Sequence, residues 1–174
     1  MTLEWIQWLR VLNIFTAGIV AGGLIHAWKL IVAGLRELPQ VTQVRVHQGM
    51  LFLTPDRFMQ PCGLIAGTTA VAILVLQGRA GLIGASTLTL ASALFMVLGL
   101  VGNLGVVISS RYFGTRINAV IATWSLEAIP PEYPDLRRKW DKTHFVRTSC
   151  GVTAFLGYVL GFLAFKLALM GGGA

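Results

Sequence analysis

Four long stretches of this chain carry no charge, and its polar residues gather in the segments between them. Val11 to Trp28 is uncharged, extended by Trp5, Trp8 and Arg10 before it and by Leu30 to Leu35 behind Lys29. Phe58 to Gly78 is the second run; Pro61 suits a first helical turn, and Gln77-Gly78-Arg79-Ala80-Gly81 closes the run as a polar turn. Ala80 to Ser110 and Thr148 to Phe165 are the third and fourth, the last ended by Lys166 and a fraying Gly171-Gly172-Gly173 tail. A bilayer core about 30 Å thick takes about 20 apolar residues as a helix, because lipid offers the backbone no hydrogen bonds. The runs therefore predict spans at about 9–34, 58–77, 82–110 and 146–168, in one transmembrane domain covering 1–174. The fold expected is all-α, an integral membrane four-helix bundle. The third run exceeds one span, so its helix either tilts or continues into water.

Between the first two spans, Val41, Val44, Met50, Leu51 and Phe52 mix with Gln40, Gln43, Arg45, His47 and Gln48, a pattern that predicts an interfacial helix within Pro39 to Arg57. Between the last two, Ile129-Pro130-Pro131-Glu132-Tyr133-Pro134 predicts a non-helical surface loop, since prolines remove donors and extend the residues before them. The N-terminal residues lack a basic region and a small-residue cleavage site, so the first run reads as a retained span.

Composition agrees with a membrane domain: 55% of residues are hydrophobic and 12% charged, against about 25% charged in ordinary soluble domains. The net charge of +7 is explained by topology. Lys29, Arg36, Arg45, Arg57, Arg111, Arg116, Arg137, Arg138, Lys139, Lys142 and Arg147 lie on one side of the expected bundle, and Arg10, Arg79 and Lys166 on the other. Cytoplasmic loops hold the basic excess, which predicts a multi-pass protein of the cell's inner or plasma membrane with both termini outside. Anionic lipid headgroups then partner the basic segments, and nucleic acid is not expected. Cys62 and Cys150 form no C-x-x-C pair and read as inert thiols.

Candidate chemistry sits on the last helix. Trp140, His144, Arg147, Gly151, Ala154, Tyr158, Gly161 and Phe165 recur at steps of four and three, which places them on one face. Either this stripe lines the bundle interior, or its polar members anchor the helix at the headgroups. Helix three adds Asn103, Ser110, Asn118 and Trp124, and helix one adds His26, an ionisable group in an apolar helix and thus a functional candidate. By the same topology His26, His47 and His144 share one membrane face, which raises zinc or copper; the carboxylates of a di-iron bundle are missing from the first three spans. The expected site holds no metal and no cofactor.

Arg116-Ile117-Asn118 with Trp124, a proline-rich loop, and then Arg137-Arg138-Lys139-Trp140 through His144-Phe145-Val146-Arg147-Thr148 resemble the anthrone oxygenase-like family of small four-helix membrane proteins. Family members commonly carry proline before the Asn, where this chain has Ile117. The resemblance implies cofactor-independent oxidation of a reduced polycyclic phenol to a quinone. It implies His144 as base, Arg147 and Asn118 as partners of the developing oxyanion, and Trp124 and Trp140 as aromatic walls of a pocket between helices one, three and four; Tyr158 and His26 join the substrate-binding set from the residue reading. The rival expectation is a non-enzymatic accessory or structural subunit of a larger membrane complex, with Gly81, Gly84, Gly99, Gly102, Gly105, Gly157 and Gly161 packing against partner helices.

Overall fold

The computed structural model describes residues 3–50 and 55–171, without the side chains of 50 and 55–57. Among the described residues it is all helical: α1 Leu3–Arg36, α2 Gln40–Met50, α3 Pro55–Arg79, α4 Thr87–Ala122 and α5 Tyr133–Met170. All but α2 are long and apolar enough to cross a bilayer, the architecture of an integral membrane protein. Leu51, Phe52 and the tail from Gly172 onward lie outside the described residues.

Local chemistry moves three expected boundaries. Gly81 and Gly84 adopt positive φ, 68° and 80°, so the third span cannot start at 82. It starts instead behind Ser86, whose side chain accepts from the Thr89 N–H while the Thr89 hydroxyl accepts from the Ser86 N–H. At its far end α4 runs on to Ala122, the continuation its length anticipates. Pro61 lies inside α3, not in its first turn, because the helix begins at Pro55. Tyr133 and Pro134, expected in a loop, open α5: a proline in the first turn has no intrahelical N–H bond to lose.

α4 and α5 pack antiparallel with their backbones nearly touching. A Cβ at Gly102 would stand 2.7 Å from both the Ala154 nitrogen and the Cys150 carbonyl oxygen, and one at Gly157 2.7 Å from the Gly99 nitrogen. Gly99, Gly102, Gly105, Gly157 and Gly161 thus serve this seam inside the chain, while Gly81 and Gly84 shape a turn. α1 runs beside α3, with Asn13 Nδ2 donating to the Ala66 carbonyl at 2.6 Å and Thr69 Oγ1 at 3.1 Å. Against α5, Thr148 Oγ1 donates to the Leu24 carbonyl at 3.2 Å. Ile6, Ala17, Ala70, Ile73, Met96 and Phe165 belong to the main apolar core.

The helix expected between the first two spans is present, and one face of it docks on the basic end of the bundle. Val44 is buried with Ile121 and Tyr133, and Gln48 Nε2 donates to the carbonyls of Ile121 and Trp124 at 2.9 Å each. Arg137 ties this end together: Nη1 reaches Gln43 Oε1 at 2.9 Å, Nη2 the Val32 carbonyl at 3.0 Å, and Nε pairs with Asp141, which also meets Arg36.

Candidate functional site

At the same end, α1, α3, α4 and α5 draw apart around a cavity of about 1280 Å³, larger than the roughly 300–1,000 Å³ of common small-molecule sites. Two π-helical segments flank it, Ala27–Val32 in α1 and Ser109–Gly114 in α4. Such turns are rare and often mark functional sites. The second span, which the sequence left out of the pocket, contributes a full wall from Met59 to Val71. Asn103 Nδ2 bridges that wall to α4 by donating to the Gly63 carbonyl at 3.0 Å.

The walls are mostly apolar, with Val20, Leu64, Val71, Leu100 and Leu104 among them, and Asn118, Trp140, His144 and Arg147 gather at one end. There the buried Trp140 ring is flanked by the His144 ring at 4.1 Å and the His47 ring at 4.9 Å, with the Arg137 guanidinium 4.9 Å from its centroid. Its Nε1 donates to Asn118 Oδ1 at 3.0 Å, and His47 Nε2 contacts the same oxygen at 2.8 Å. Arg147 Nη2 meets the ring nitrogens of His144 at 3.1 and 3.4 Å, and Nη1 lies 3.4 Å from Ser110 Oγ. A guanidinium only donates, so the His144 nitrogen it meets presents a lone pair.

Of the residues singled out in the sequence, His26, Asn118, Trp140, His144 and Arg147 all border this cavity. Trp124 and Tyr158 do not. Trp124 lies past the last residue of α4 and packs edge-on against Tyr133 at 5.8 Å, in the cluster that seats α2. Tyr158 stands eleven residues beyond Arg147, about 16 Å along the helix axis, and borders an adjoining void of about 10 Å³ that shares Val20 and Asn103 with the cavity. Nor do the histidines form a zinc or copper site: among the described residues no three His, Cys, Asp or Glu side chains are placed to hold a metal ion.

His47, weighed in the sequence only as a metal candidate, proves to be a fully buried partner of Asn118 and Trp140. Its signal is the set Gln43, Val44, His47 and Gln48, a single helical face that all docks. Burial holds the His47 imidazole below its ordinary value; the Asn118 hydrogen bond works against this and the Arg137 charge with it. Among known proteins, no family model, no curated sequence and no solved structure matches the chain.

Proposed function

We propose that this membrane protein binds a flat, lipophilic aromatic molecule in the cavity and oxidises it with dioxygen, without a cofactor. The observation that carries the reading is one apolar chamber whose polar end collects Asn118, Trp140, His144 and Arg147. The chemistry suits an anthrone-type substrate, in which a CH2 beside a carbonyl is acidic because its anion is an aromatic phenolate. His144 takes the proton, Arg147 and Asn118 hold the phenolate oxygen, and dioxygen adds at the carbon. The CH2 becomes a second carbonyl with one oxygen atom of dioxygen, and the other leaves as water. Before substrate arrives Arg147 covers the His144 nitrogens. A substrate that develops negative charge draws the guanidinium to its own oxygen and frees the imidazole as base.

The test is anthrone consumption by purified protein in micelles. His144→Ala is expected to abolish turnover while the protein stays folded in micelles; turnover retained in that variant would remove His144 as the base. The same reading puts the basic end in the cytoplasm and both termini outside, on the eleven-to-three charge split. A reporter fused after Ala174 that is active only in the cytoplasm would overturn the orientation.

A further inference from the structure

The orientation of one carboxamide follows from its neighbours. The indole N–H of Trp140 can only donate, so the Asn118 atom 3.0 Å from it must be the carbonyl oxygen. His47 Nε2 stands 2.8 Å from the same oxygen and must therefore carry its proton. Both lone pairs of Asn118 Oδ1 are then taken. The carboxamide Nδ2, with two N–H donors, meets no acceptor among the described residues and is not sealed off, and Asn118 borders the cavity. The Arg147 guanidinium, which also borders the cavity, is purely a donor.

We infer that His47 is a positioning residue: with Trp140 it clamps Asn118 so that the amide NH2 faces the cavity, which then takes its ligand through an acceptor oxygen, the carbonyl or phenolate of a flat aromatic. This rests on the ligand-binding half of the function proposed above and does not need the oxidation. Terminal amide torsions are broad and nearly two-fold, so nothing intrinsic to Asn118 fixes which end points inward. The choice is made jointly by Trp140 on α5 and His47 on α2, a helix none of whose described side chains lines the cavity. An amine or ammonium set against Asn118 Nδ2 and Arg147 would put donors against donors.

The test pairs two probes of one shape, 2-methyl-1,4-naphthoquinone and 2-methylnaphthalene, in fluorescence-quenching titrations at fixed micelle concentration. The parent protein is expected to hold the quinone about ten-fold more tightly than the hydrocarbon, the effect of roughly one well-placed hydrogen bond. Asn118→Asp keeps an oxygen for His47 and Trp140 but turns the inward atom into an acceptor, so Tm should hold while the preference disappears. His47→Gln, which retains a donor, should keep the preference, and His47→Leu should lose most of it without changing hydrocarbon affinity. In the ligand-free protein, 15N NMR should find neutral His47 protonated on Nε2. Protonation on Nδ1, or a quinone preference unchanged in Asn118→Asp, overturns the inference, as does a parent protein that binds the two probes equally. Quinone preference without anthrone turnover leaves it standing and removes the oxidation; turnover with an unaltered preference in Asn118→Asp does the reverse.

Discussion

Toward the chain termini, the bundle buries Arg10, Asn13, Gln77, Thr89 and Ser92 between its helices, away from the large cavity; toward α2, Asn118, His144 and Arg147 border an open chamber. In the closed half Arg10 Nη2 donates to Ser92 Oγ at 2.8 Å, Ser92 Oγ donates to the Gly161 carbonyl at 2.7 Å, and the guanidinium lies 4.5 Å from the centre of the Phe165 ring. In the open half the polar groups are bonded to one another on one side and face volume on the other. Polar residues inside apolar helices are equally conspicuous in both halves. What separates a structural arginine from a candidate site is the space next to it, set here by glycines that close one half and π turns that flank the opening of the other.

The comparison can be broken at its strongest point by Gly102→Leu. Its new side chain would have to enter a backbone-to-backbone contact, so destabilisation at or beyond the usual roughly 1–3 kcal/mol of overpacking is expected, read as a lowered Tm. A Gly102→Leu protein that elutes and melts like the parent would refute the closed seam. Acid should act on the open half. His47 has a folded-state value below its unfolded one, so its contribution is complete above about pH 6.5 and is lost as pH falls below that, at up to about 1.4 kcal/mol per pH unit. The Tm of the parent should drop over that window more than that of His47→Gln; parallel curves would deny the buried neutral imidazole. Trp140→Phe keeps the ring stack and removes one hydrogen bond to Asn118, a loss of about 1 kcal/mol with weakened quinone binding. Arg10→Met should change least. Replacing a buried, partly satisfied cation by an apolar side chain of similar length is often neutral or stabilising, so Tm should stay within about 1 kcal/mol of the parent and ligand affinity should not move. Lost affinity in Arg10→Met would join the two halves into one site.

The spans were legible because about 20 apolar residues in a row have few folded fates, and the Trp140, His144 and Arg147 stripe because a 3.6-residue period survives wherever a helix does. The start of α5 was written in Tyr133-Pro134, a first-turn proline read as a helix breaker. Trp124 and Tyr158 stand off the chamber wall for different reasons: where α4 ends decides the first, and the second packs one level further along the bundle, beside a small adjoining void. His47 was hidden by its setting, a mixed segment whose apolar and polar residues fit a membrane surface as well as a protein one. That second spans border the chamber through Met59 to Val71 depends on which helices separate, a tertiary property with no local signature.

The two π turns also set a phase. Along α1 the buried positions Ile6, Arg10, Asn13, Ala17, Val20 and Leu24 step by four and three, a rhythm that would next fall on 27, 31 and 34; the buried residues past the turn are Val32 and Leu35. In α4, Met96, Gly99 and Asn103 project to 113 and 120, and the buried residues are Gly114 and Ile121. Each helix thus carries one surplus residue, and everything beyond it is turned by about 100°. A chain shortened by a single residue within Ala27–Val32 would continue as an unbroken α-helix with Val32 and Leu35 on the phase they already hold, whereas the same deletion between that turn and Arg36 would swing Arg36 away from Asp141. Each π turn is therefore a place where such a helix can lose one residue and keep its basic-end contacts, and a one-residue gap at these two places is the change to watch when chains of this kind are compared.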